Sequence, residues 1–198
     1  MTASNALIIF VKNPEQGKVK TRLAATMGDE KALQIYMALM QRCREVTQAL
    51  PVKKYLYYGQ VLEQGDAWPE QEYFKKVQYQ GDLGERMSAA FAEVLRHHRK
   101  AVIIGSDIPG ITQEILLTAF KKLDDHDLVI GGTEDGGYYL LGMHTFVPSV
   151  FSNITWSTQT VFEQTLQIIQ SRRKTCFQLP VLVDIDYEED WLKHGWDL

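Results

Sequence analysis

Ala6-Leu7-Ile8-Ile9-Phe10-Val11 runs straight into Lys12-Asn13-Pro14-Glu15-Gln16-Gly17-Lys18-Val19-Lys20-Thr21-Arg22-Leu23. The first six residues are apolar and half of them β-branched, the pattern of a strand buried on both faces. The polar run behind it holds Pro14 and Gly17 and reads as a loop over residues 12–22. The same arrangement returns at Ala101–Gly105 (AVIIG), which empties into Ser106-Asp107-Ile108-Pro109. Between the two, Leu33, Tyr36, Met37, Met40, Val46 and Leu50 recur at helical spacing from Asp29 onward, and Pro51 closes that helix. Working outward, strands are expected at 52–58, 74–79, 128–132, 138–143 and 176–183. Helices are expected at 84–98, 112–123 and 158–170. Strands alternating with helices imply an α/β sandwich with a mostly parallel sheet. In such sheets ligands sit beyond the carboxyl ends of the strands.

The chain has 198 residues, 45% hydrophobic and 23% charged, which is ordinary globular usage. That length suits one α/β unit and buries a core without disulfide or metal staples, so a single domain over 1–198 is expected. Lys plus Arg number 21 and Asp plus Glu 25, a net charge of −4. This balance argues against nucleic acid or an anionic membrane as partner. It leaves room for a small anion held by a local basic loop. Cys43 and Cys176 have no C-x-x-C neighbours, so a reduced, cytoplasmic setting fits best. The apolar run Leu7–Val11 is too short for a signal core or a membrane span.

Six segments carry candidate chemistry. The first loop sets Lys12, Lys18, Lys20 and Arg22 against Glu15, a composition suited to a di- or triphosphate, or to a plain solvated basic loop. It is not a Walker A loop, because Lys12 stands at the first Gly position and Val19 follows Gly17-Lys18. Asp107 leaves a buried strand at the sheet edge, where a carboxylate holds Mg²⁺ or Mn²⁺; a turn or capping role is the plainer reading. Gly131-Gly132-Thr133-Glu134-Asp135-Gly136-Gly137 puts two acids between two glycine pairs. Those acids suit a metal or a substrate hydroxyl, and the glycines suit close approach of a ligand to the backbone. A tight turn between two strands is the alternative. Gly81-Asp82-Leu83-Gly84-Glu85-Arg86 has the capping-box pattern in Asp82 and Glu85, with Arg86 beside a helix N-terminus that attracts anions. Ser157 and Thr158 precede a helix, Ser157 as its N-cap or as a contact for an acceptor phosphate or carboxylate. Asp184 and Asp186 alternate on what reads as a strand, so both face one side and need a cation or solvent. Glu188, Glu189 and Asp190 favour the start of a short last helix.

Taken in order, K-x-P-x-x-G-x-x-K-T-R-L, GDLGERM, GSDIPG, GGTEDGGYYLLGM, ITWST and DIDYEED resemble the bacterial DUF2064 family. That family lies in the GT-A, or nucleotide-diphospho-sugar transferase, superfamily, and its members resemble phospholactate guanylyltransferases. The resemblance implies a Rossmann-like three-layer α/β/α sandwich. It implies that Lys12, Lys18, Lys20 and Arg22 hold nucleotide phosphates. Asp107, Asp184 and Asp186 would hold the metal, with Asp107 and Asp135 the catalytic acids. Asp82, Gly84 and Arg86 would contact the nucleoside. Thr133, Glu134, Gly136, Ser157 and Thr158 would shape the acceptor pocket. Two departures stand out: Asp107-Ile108-Pro109 replaces the D-x-D of sugar transferases, and the G-x-G-T-R loop of sugar nucleotidyltransferases is missing.

The expected activity is therefore a Mg²⁺- or Mn²⁺-dependent transfer from a nucleotide or nucleotide-sugar donor to a small acceptor. The alternatives are nucleotidylyl transfer with release of pyrophosphate, and a non-catalytic nucleotide-binding protein.

Overall fold

The computed structural model describes residues 5–198. Among them, the strands are β1 (Ala6–Val11), β2 (Lys53–Tyr58), β3 (Tyr73–Val77), β4 (Ala101–Ile104), β5 (Leu128–Thr133), β6 (Tyr138–Met143) and β7 (Cys176–Leu182). The helices are α1 (Thr21–Met27), α2 (Asp29–Gln48), α3 (Leu83–Val94), α4 (Gln113–Lys122), α5 (Val161–Ser171) and α6 (Glu188–His194), with a 3₁₀ turn at Pro148–Phe151. The strands form one sheet in the order β3-β2-β1-β4-β6-β5-β7. Neighbouring strands are parallel except that β6 runs against both β4 and β5.

Burial on both faces explains the continuous apolar strands. Leu7, Ile9 and Val11 of β1, with Val102 and Ile104 of β4, pack beneath α2 and α4. Ala6, Ile8, Ala101 and Ile103 point the other way, against Met87 and Phe91 of α3 and Ile169 of α5. The result is the expected three-layer sandwich. A smaller core joins Leu23 of α1, Ile35 and Leu39 of α2, and Ile185 and Trp191 at the carboxyl end.

Local chemistry fixes the helix starts. Asp29 and Glu30 occupy the first turn of α2, where negative charge is favoured. The capping box at Asp82 and Glu85 is formed: the Glu85 N–H donates to Asp82 Oδ1 at 2.8 Å, and the Asp82 N–H to Glu85 Oε2 at 2.9 Å.

Three expectations need correction. Residues 12–22 are not all loop, because α1 begins at Thr21. The last strand ends at Leu182, so Asp184 and Asp186 lie in irregular chain beyond it. The helix expected from residue 158 begins at Val161; its N-cap is Thr160, without a side-chain cap. Ser157 takes a left-handed backbone instead, with φ 62°.

Cys43 and Cys176 are both free thiols. No helix among the described residues is long and apolar enough to cross a membrane.

Asp127 secures the entry to the β5–β7 pair. Its Oδ1 accepts from Lys174 Nζ at 2.8 Å, and its Oδ2 from the Thr175 N–H at 2.8 Å and the Thr175 hydroxyl at 2.9 Å. These hydrogen bonds, the Lys174 one foremost, hold the carboxyl down at about 2 against an ordinary 3.8. A depressed folded value contributes stability above the ordinary value and loses it as pH falls toward 2. Asp127→Ala is therefore expected to cost about 1–2 kcal/mol at pH 7, allowing for solvent screening. The cost should shrink steadily below pH 4, as urea midpoints across that range will show.

Candidate functional site

Strands β1 and β4 lie side by side at the centre of the sheet, with Ile9 opposite Ile104. Their carboxyl ends open into a cavity of about 790 Å³. The segment after β7, the β5–β6 turn and the loop before α5 complete its walls. Lys12, Lys20, Arg22, Arg86, Asp107, Thr133, Glu134, Asp135, Ser157, Thr158, Asp184 and Asp186 all line it.

At its centre is an ion network. Lys20 is the N-cap of α1 and sits in the left-handed region, φ 47° and ψ 46°. Its side chain is 6% exposed. The ammonium donates to Asp107 Oδ2 at 2.8 Å and to Asp186 Oδ1 at 3.3 Å. Arg22 donates to the other oxygen of Asp186 at 2.8 Å, and its guanidinium stands over the Tyr187 ring. Burial alone would raise the Asp107 carboxyl, but the Lys20 charge and hydrogen bond outweigh it and hold the group below its ordinary value. Burial likewise opposes the Lys20 charge, and Asp107 and Asp186 more than offset it, so the ammonium is held above its usual range. Asp184 has no such partner among the described residues. Burial, then the charges of Asp135, Asp186 and Asp107, push its carboxyl up to about 6. Crowded acids of this kind favour a bound cation.

Neighbouring side chains fix the frame. The Lys12 N–H donates to the Tyr36 hydroxyl at 2.8 Å, and that hydroxyl donates to the Lys12 carbonyl at 3.1 Å. Ser106 Oγ lies 3.4 Å from the same hydroxyl. One α2 side chain thus ties the loop after β1 to the loop after β4, and its burial raises the phenol to about 12. Asn13 is buried and clasps residues 60–63: its amide donates to the Val61 carbonyl and Glu63, and accepts from the Gln60 and Val61 N–H groups. At the α3 end, Gln78 donates to the carbonyls of Val11 and Tyr57, while Arg86 donates to the Gly81 carbonyl. Asp135 Oδ1 accepts from the Thr133 hydroxyl at 2.5 Å and the Gly137 N–H at 3.0 Å, which holds the β5–β6 turn.

The remaining candidates fall outside the cavity wall. Lys18 is exposed and paired with Glu15 at 2.5 Å. Asp82 caps α3. Gly84 seats the Trp156 indole, which a Cβ there would meet at 2.5 Å. Gly136 has φ +87°, and its Cβ would lie 2.0 Å from the Gln159 carbonyl oxygen. Gly131 admits the Tyr139 ring and Gly132 the Phe162 ring, whereas Gly137 lines the cavity. Tyr36, Gln78 and Trp156 line the cavity without having been singled out. The signal for Tyr36 was a phenol hydroxyl on the core-facing stripe of α2, among Ala32, Ile35, Leu39 and Met40.

Comparison with curated proteins finds no match. The crystal structure of a protein from Desulfovibrio desulfuricans G20, provisionally described as a nucleotide-diphospho-sugar transferase, is similar with 32% identity and a TM-score of 0.86; the match covers 96% of this chain and 87% of that one. Two others share the fold at low identity. Rv0371c of Mycobacterium tuberculosis H37Rv, solved in complex with manganese, has 13% identity, a TM-score of 0.57 and 98% coverage of both chains. The 4-diphosphocytidyl-2C-methyl-D-erythritol synthase of Anaerococcus prevotii has 9% identity and a TM-score of 0.61, covering 98% of this chain and 97% of that one. The family model described as an uncharacterized protein conserved in bacteria matches residues 41–158, more than half of the sequence, and the chain belongs to that family, DUF2064.

Proposed function

We propose that the protein is a transferase that takes a nucleotide-diphospho-sugar donor and passes the sugar to a small acceptor with the help of Mg²⁺ or Mn²⁺. The observation that carries this reading is the cavity that sets Lys12, Lys20 and Arg22 against Asp107, Asp184 and Asp186. The description of the Desulfovibrio relative supports it.

The donor set fits a hard divalent cation, since it offers carboxylate oxygens alone. No trio of His, Cys, Asp or Glu among the described residues converges tightly enough to hold a metal unaided. Mg²⁺ is commonly held by one or two carboxylates together with substrate phosphates. Asp107, Asp184 and Asp186 would hold the ion, and it would supply charge neutralisation on the leaving phosphate.

The chain's own residues do the rest. Lys12, Lys20 and Arg22 bind the diphosphate and stabilise the charge that grows on it. Arg86 and Gln78 lie at the α3 end of the cavity and orient the nucleoside. Thr133, Glu134, Ser157 and Thr158 hold the acceptor. Asp135, held by two hydrogen bonds through Oδ1, accepts the acceptor's hydroxyl proton on Oδ2. Phe10, Met87 and Trp156 reduce the water in the cavity.

One observation favours a second reading. Pro109, two residues after Asp107, stands where the second acid of a D-x-D pair would be and offers no carboxylate. Nucleotidylyl transfer, with attack on the α-phosphorus of a nucleoside triphosphate, fits that feature. Product analysis separates the two. The protein is incubated with Mg²⁺ or Mn²⁺, nucleoside triphosphates or nucleotide-sugars, and a mixture of small hydroxylated acceptors. Nucleoside diphosphate released from a nucleotide-sugar is the expected result. Pyrophosphate from a triphosphate would transfer the assignment to the second reading. A protein that binds nucleotide and releases neither would be the non-catalytic form.

A further inference from the structure

We propose that Lys20 is a resident cation in the acidic cluster, and that a divalent metal enters only as nucleotide phosphates draw the Lys20 ammonium away. This rests on the metal assignment made above. The ammonium lies between Asp107 Oδ2 and Asp186 Oδ1, at 2.8 and 3.3 Å. A side chain only 6% exposed has little water to turn to when those partners are taken. Its backbone is left-handed, a conformation costly to any residue with a Cβ. The surroundings hold Lys20 in this geometry against that cost. Arg22 occupies the second oxygen of Asp186, which leaves Asp184 as the acid of the three without an ion pair among the described residues.

A divalent ion that takes Asp107 Oδ2 and Asp186 Oδ1 competes with this ammonium for the oxygens it holds. Two cations cannot share the same carboxylate oxygens in a partly dry cavity without strong repulsion. Metal alone must therefore expel the ammonium and leave a buried positive charge with no counter-ion, an expensive arrangement. A donor's phosphates entering beside Lys12 supply the missing anion. Metal and phosphate then assist each other, and the assistance is reciprocal. In the resting protein the cluster is closed upon itself and has little hold on divalent ions.

The test is binding of Mn²⁺ alone, followed by the electron paramagnetic resonance of the free ion. Wild type is compared with Lys20→Met and Lys20→Gly. The second variant suits the left-handed backbone and keeps the test valid if the first fails to fold. Both variants are expected to bind Mn²⁺ at least about tenfold more tightly than wild type, within the usual range of coupling between sites. Unchanged or weaker affinity would overturn the proposal, as would no binding in any of the three proteins. The catalytic reading is decided separately, by release of nucleoside diphosphate or pyrophosphate.

Discussion

Asp107→Asn is expected to lower turnover by about 10³-fold, the scale of removing one well-placed charged group from a water-poor site. The substitution keeps the size of the side chain and removes its charge. Asp107 stands just beyond β4, the strand paired with β1 at the centre of the sheet. Its carboxylate does two things that an amide cannot: it balances the Lys20 ammonium, and it offers a hard anionic oxygen to a cation. With Asn in place, Lys20 keeps only Asp186, at the longer of its two distances. The fold should survive, because the backbone link from the Ile185 N–H to the Asp107 carbonyl is untouched. Rate and melting temperature measured on the same preparation will check this. A rate within tenfold of wild type would remove Asp107 from the reacting centre.

Gly136→Ala is expected to destabilise the protein on the order of 3 kcal/mol, among the larger single-residue effects. The new Cβ would lie 2.0 Å from the Gln159 carbonyl oxygen and 2.6 Å from its carbon. Those are backbone atoms and cannot swing aside as a side-chain tip would. The φ of +87° adds a conformational penalty of its own. The Gly136 carbonyl also accepts the Phe162 N–H at 2.9 Å, so a shift of the turn disturbs the first turn of α5. For a chain of this size the loss corresponds to a fall in Tm of roughly 6–12 °C. A scanning calorimetry trace that moves by less than a degree would show that the two loops separate easily.

The sheet was readable because its central strands are buried on both faces. Ala6–Val11 and Ala101–Ile104 carry no polar residue to confuse the pattern, and the loops behind them announce themselves with Lys12 and Asp107. The α1 helix was not readable for the opposite reason. It is seven residues long, buries only Leu23, and its N-cap is a left-handed lysine without a capping hydrogen bond. Asp184 and Asp186 imitate a strand by alternation, yet the ladder with β5 ends at Leu182. Their shared cavity comes from Ile185, fully buried between them and tied to Asp107. The basic and acidic segments were each visible in the sequence. Their direct pairing was not, because Lys20 and Asp107 are 87 positions apart and are brought together by the pairing of β1 with β4 and by Tyr36, which ties the two loops.

The order of the strands has one more consequence, for self-association. An open sheet presents two edges that can recruit a strand from another molecule. Here the edges are β3 and β7. β3 is five residues long and carries Lys75 and Lys76, with Lys75 drawn across to Asp66. β7 contains Pro180, which has no N–H to offer an incoming strand, and its pairing with β5 shifts register near the same point. Both rims are thus poor templates for edge-to-edge growth, and the central strands that hold the cavity stay shielded from aggregation.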